Sequence, residues 1–128
     1  MNFILYIKCT DQQDFSYSNP FYDTLKEEVK NADFLDLDNF SGNELIDYAI
    51  KAITEADKAC VVFDFLSGND SKRFLQLATY LADHPQKKYV FVNGNDNLIS
   101  KLLFPQENLC YHNYSKENQL ELIQKKMN

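Results

Sequence analysis

Short apolar runs alternate along this chain with stretches whose apolar residues recur every three or four positions. The runs Phe3 to Lys8, Phe34 to Leu37, Cys60 to Phe65, Tyr89 to Val92 and Leu109 to Tyr111 predict strands. The intervening stretches predict helices. Their apolar faces are Phe21, Tyr22, Leu25 and Val29, then Leu45, Ile46, Ala49, Ile50 and Ile53, then Phe74, Leu77, Ala78 and Leu81. A short helix over Leu98 to Leu103 stops at Pro105, and a last one turns Leu120, Ile123 and Met127 inward. Boundary residues agree with this reading. Asn19-Pro20 suits a helix start, Ser41 precedes Glu44 as in a capping box, Asn69 or Asp70 caps the third helix, and Ser115 caps the last. His84-Pro85 ends the third helix, where the imidazole meets the negative end of the dipole.

Strands joined by helical crossovers pair in parallel, and the crossovers are right-handed. The third run, Cys60 to Phe65, is nearly all apolar, as a strand covered on both faces requires. The second lies among Asp33, Asp36 and Asp38, which suits a sheet edge. The fold class expected is therefore α/β. It is a single three-layer α/β/α domain over residues 1–128, with a five-stranded, mainly parallel sheet of flavodoxin-like order 2-1-3-4-5.

Charge and cysteine usage narrow the function classes. The formal net charge is −6, and the basic pairs Lys87-Lys88 and Lys125-Lys126 sit at element ends. A nucleic-acid partner is not expected on such a surface, nor an anionic membrane. No apolar run approaches the ~20 residues that span a bilayer, and the first residues lack the basic start of a signal peptide. Cys9, Cys60 and Cys110 have neither metal-ligand nor CxxC spacing, so buried thiols in a reducing, cytoplasmic setting are expected.

In an open parallel sheet, ligands meet the carboxyl ends of the strands, where the strand order reverses. That edge gathers Thr10, Asp11, Ser67, Gly68, Asn69, Asp70, Asn93 and His112, the expected ligand-binding residues. Asn95, Asp96 and Tyr114 lie in the same loops. As single residues they equally suit helix caps and turns. No metal site and no cofactor are expected, because the chain has no GxGxxG, no Walker loop and no Ser/Thr-rich phosphate loop. Cys9 ends the first strand, and the sixth residue after it is Phe15, where a phosphatase loop needs Arg. Its one plausible base, His112, is expected about two strands away, near 10 Å at ~4.8 Å per strand. That is too far for thiol activation. The aromatic group Phe15, Tyr17, Phe21 and Tyr22 is read as a seal of helix on sheet, as a lid over the crevice or as a contact surface.

Val61-Val62-Phe63-Asp64-Phe65-Leu66-Ser67-Gly68 resembles the third strand of the receiver domains of two-component signalling, whose phospho-acceptor aspartate ends that strand. Tyr114 to Leu120 also resembles a receiver's end. The resemblance would give Asp64 that role, yet Lys8-Cys9 stands in place of the acidic pair and Asn93 in place of Ser or Thr. Cys110 to Tyr114 has no lysine. A second resemblance joins Ile50, Ile53, Ala56-Asp57 and Val61-Val62-Phe63 to TIR-type domains and nucleoside deoxyribosyltransferases, which cleave N-glycosidic bonds. Their catalytic glutamate lies on the helix after strand three, and here Ser71 to Leu81 carries no acid.

The expected function is a non-catalytic interaction or sensing module, with a polar crevice that serves a protein partner or a small polar ligand. The alternative is an enzyme at a nucleoside or nucleotide N-glycosidic bond, with Asp11, Asp64 or Asp70 as its carboxylate. Convergence of those three acids on one pocket would favour the enzyme.

Overall fold

The computed structural model describes residues 1–11, 18–67, 71–94, 96–112 and 114–128. Its strands are β1 (Asn2–Cys9), β2 (Ala32–Asp38), β3 (Ala59–Phe65), β4 (Lys88–Asn93) and β5 (Cys110–His112). The helices are α1 (Pro20–Glu28), α2 (Asn43–Glu55), α3 (Leu75–Asp83), α4 (Asn97–Leu103) and α5 (Lys116–Met127). The sheet order is β2-β1-β3-β4-β5 and every pairing is parallel. The α/β class follows the alternation in the sequence, and the order is the flavodoxin-like 2-1-3-4-5 expected of that fold class.

Strand alternation divides the core in two. Leu5, Ile7, Val61, Phe63, Val90 and Val92 face α2, α3 and α4, and pack with Ile46, Ile53, Leu77, Leu81 and Leu103. Ile4, Tyr6, Cys60, Val62 and Phe91 face α1 and α5, and pack with Tyr22, Leu25, Val29, Ile123 and Met127. The second face turns polar at its carboxyl end. Asp38, Lys8, Asp64 and Asn93 are register partners across four adjacent strands. Lys8, Asp64 and Asn93 follow the inward residues Tyr6, Val62 and Phe91 of their own strands by two, so parity places them against α1 and α5.

Several local expectations change. The Ser41–Glu44 capping box does not form, since α2 starts at Asn43 with Gly42 as its uncapped N-cap. Ser41 Oγ instead accepts from the Asp38 amide at 3.0 Å, closing the β2 turn, which outcompetes the helix for that hydroxyl. Leu45 is exposed while Ile46, Ala49 and Ile53 are buried, so the buried stripe of α2 is narrower than its apolar content. A 3-10 turn, Lys72–Phe74, precedes α3, and the expected caps Asn69 and Asp70 lie outside the described residues. Asn19 stands at the N-cap of α1, but its side chain caps no amide there. Asp96 and Ser115 cap α4 and α5, accepting from Ile99 and Asn118 amides at 2.7 and 3.1 Å.

Gly94 has φ +85°, and a Cβ there would collide with the Phe65 carbonyl oxygen. This glycine lets the β4 loop close against the end of β3. Among the described residues, no helix is long and apolar enough to cross a membrane.

Candidate functional site

The polar residues of the carboxyl edge separate into two groups. On the β2 side, the Thr10 amide donates to Asn39 Oδ1 and Asn39 Nδ2 donates to the Thr10 carbonyl, both at 3.0 Å. The Thr10 hydroxyl meets Ser67 Oγ at 2.9 Å, and Ser67 Oγ also accepts from the Asp11 amide at 3.0 Å. Thr10 and Asn39 are buried. These bonds tie the β1, β2 and β3 loops together with neutral donors and acceptors. Thr10 and Ser67 are brought together as the sequence suggested, and they satisfy each other. The exposed Asp11 takes part through its backbone.

The other group centres on Asp64, which is 3% exposed. Tyr6 donates its hydroxyl to Asp64 Oδ2 at 2.6 Å, and Lys116 Nζ reaches the same oxygen at 2.9 Å. Asp64 Oδ1 accepts no bond among the described residues. Lys8, beside Asp64 in the sheet and 4% exposed, donates to the Ser18 carbonyl at 3.2 Å. Lys116 Nζ also lies 5.5 Å from the Phe21 ring centroid. Burial pushes the Tyr6 phenol far above its usual range, helped by the hydrogen bond to Asp64 and by that carboxylate's charge. Tyr6 therefore acts as a fixed donor.

A cleft of about 400 Å³ opens beside this cluster, lined by Tyr6, Lys8, Phe21, Asp64, Leu66 and Lys116, with Ser18, Pro20 and Thr24 at the α1 wall. Two hollows of about 520 and 530 Å³ open at the amino edge, and the acids and bases on their walls are not buried. Buried charge and concavity coincide at the Asp64 cleft.

Lys116 corrects the sequence reading of Asp64 as a carboxylate without a lysine. The cation comes from the first residue of α5, four positions past β5, beyond the segment Cys110 to Tyr114. The end of the last crossover is where that signal could have been sought. Gln119 was missed as well. It is fully buried, and its amide pairs reciprocally with that of Asn93 while donating to the Tyr114 carbonyl at 2.9 Å. Asn93 is thus committed to α5.

His112 stacks on Phe104 with ring centroids 4.1 Å apart. It faces the α4 side, away from Asp64. The expected two-strand gap between Cys9 and His112 is also corrected. β3 and β4 both lie between β1 and β5, giving three spacings, about 14 Å. All three cysteines are buried, and burial pushes the Cys60 thiol up and the Cys110 thiol to about 12. Tyr22 seals α1 by stacking on Tyr6, centroids 5.6 Å apart, while Phe21 lines the cleft. Phe15, Tyr17, Gly68, Asn69, Asp70 and Asn95 lie outside the described residues.

Asp64 and Asp11 do not share the cleft, for Asp11 is not among its lining residues. Among the described residues, no three His, Cys, Asp or Glu side chains gather closely enough to hold a metal ion. Among the described residues, the cleft offers two ammonium groups, one carboxylate and a phenol beside apolar walls. Compared with protein-family models, curated proteins and solved structures, the chain matches none.

Proposed function

We propose that this domain is a non-catalytic sensing or interaction module, serving a small polar ligand or a protein partner at the carboxyl edge of its sheet. One observation carries the reading. The buried carboxylate of that edge, Asp64, is held through one oxygen by Lys116 and Tyr6. A carboxylate fixed by a cation and a phenol is a poor nucleophile, because attack would sacrifice both bonds. The neutral bonds around Thr10, Asn39 and Ser67 support the same reading, since they stiffen the edge without leaving a poised base.

The cleft beside Asp64 favours a second reading, cleavage at a nucleoside or nucleotide N-glycosidic bond. A thermal-shift screen with NAD, nucleotides, nucleosides, flavins and divalent metals, paired with a base-release assay, separates the two. The module reading predicts no release of base from NAD or nucleosides. Release that disappears in Asp64→Asn or Asp70→Asn would overturn it.

A further inference from the structure

We propose that Gln119 is the positioning residue of the carboxyl edge. Paired with Asn93, it fixes the register of α5 on the sheet and so brings Lys116 to Asp64. The inference goes beyond the module reading and holds whatever the edge binds.

The helix meets the edge through two polar contacts whose spacings match. Lys116 and Gln119 stand three positions apart on α5, and residues so spaced share a face about 5–6 Å apart. Their partners, Asp64 and Asn93, are register partners on the adjacent strands β3 and β4, about 4.8 Å apart. Lys116 Nζ meets Asp64 Oδ2 at 2.9 Å. Asn93 Nδ2 donates to Gln119 Oε1 at 3.1 Å, and Gln119 Nε2 donates back to Asn93 Oδ1 and to the Tyr114 carbonyl. Gln119 is fully buried, and its two N–H donors and its carbonyl oxygen are all in use.

The other described attachments of α5 do not choose a register. Leu120, Ile123 and Met127 pack with Ile4, Cys60, Val62 and Phe91, and apolar contact has no direction. A slide of one turn, with the first turn unwound into the connection from β5, would put Ile123 in the place of Gln119 and Met127 in that of Ile123. An apolar face would still lie on the sheet. Asn2 Nδ2 and Lys58 Nζ reach the carbonyls of Met127 and Lys126 at 2.7 and 3.0 Å, and every residue in the last turn of a helix offers such a carbonyl. Gln124 donates to Glu28 at an exposed position, where water competes for the bond. Lys116 is 45% exposed on its side chain and can leave Asp64 for water. The slid helix fails at the amide pair, where Ile123 would face Asn93 and leave it without its partner. A buried neutral pair of this kind specifies one alignment and adds little stability over apolar residues in its place.

Nuclear magnetic resonance of the full chain tests this. The unsubstituted protein is expected to give one set of α5 amide signals. It should also show a nuclear Overhauser contact between the Lys116 side chain and the Phe21 ring, whose centroid lies 5.5 Å from Nζ. Asn93→Leu combined with Gln119→Leu replaces both amides by apolar groups. It is expected to keep the urea midpoint near that of the unsubstituted chain, while the α5 signals double or broaden and the Lys116–Phe21 contact is lost. Leu120→Ala removes packing and leaves the amide pair. It is expected to lower the midpoint, with one set of signals and the contact retained. A folded double variant with one set of signals and an intact contact would overturn the proposal, because packing would then choose the register. So would a double variant that unfolds, since the pair would then hold the fold instead of its register. Loss of the Lys116–Phe21 contact in Leu120→Ala would overturn it as well.

Discussion

The two halves of the carboxyl edge use polar residues in opposite ways. Beside β2, Thr10, Asn39 and Ser67 close neutral donors on neutral acceptors, and the loops they join become one piece. Beside α1 and α5, Lys8 and Asp64 bring charge into burial next to open space, and the exposed Lys116 reaches in to Asp64. Both groups follow strand ends, and both fit a site description by residue type alone. The difference lies in what remains after internal bonds form. Neutral pairs consume their own hydrogen-bonding capacity, whereas a carboxylate held through one oxygen keeps the other.

The contrast is sharpest in alkali. The β2-side triad contains no titrating group, while Tyr6 and Tyr22 underlie the charged side. Burial pushes Tyr22 from 10.0 to about 12, and Tyr6 goes further in the same direction. Between pH 10 and 12 the unfolded chain loses these protons and the folded chain keeps them. Stability is therefore complete below pH 10 and falls as pH rises, by about 1.4 kcal/mol per pH unit for each tyrosine. Urea midpoints read against pH, with phenolate absorbance followed in parallel, should show two tyrosines ionising only as the fold is lost. Ordinary titration of all eight in the intact fold would contradict this burial.

Asp64→Ala comes next. Lys116 is 45% exposed on its side chain and can turn to water, so its ion pair contributes little. The loss is concentrated on the Tyr6 hydroxyl, left buried without its acceptor, and about 1–3 kcal/mol is expected from denaturant unfolding. A change under about 0.5 kcal/mol would mean that the cluster is not buried in solution.

Asn39→Ala strips both bonds from the Thr10 backbone inside the protein, and should destabilise by about 2 kcal/mol. Ser67→Ala touches a more exposed part of the same triad and should cost about 0.5–1 kcal/mol. The order of these two changes is itself a check. If Ser67→Ala proved the costlier, the neutral group would hinge on its hydroxyls instead of on the buried amide of Asn39.

Most of the architecture was legible because periodicity and burial are local properties. The apolar run Cys60 to Phe65 had to be central, and the acids around β2 had to be at an edge, as the sheet order bears out. Caps were less legible, since one hydroxyl has several backbone partners within reach. Ser41 bonds backward to Asp38 instead of opening α2. The site was least legible. Asp64 was visible from its strand, but Lys116 reaches it from 52 residues away. Gln119, polar and fully buried, sat within a helical pattern as an ordinary outward residue would. Pairings across elements depend on where crossovers return, and residue spacing does not encode that.

Amide chemical shifts of isotope-labelled Asp64→Asn protein, compared with those of the unsubstituted chain, test the central contrast most directly. The account predicts that Lys8, Phe21, Leu66 and Lys116 move, while Thr10, Asn39 and Ser67 stay in place. Shifts confined to Thr10, Asn39 and Ser67, or a spectrum that does not move, would contradict it.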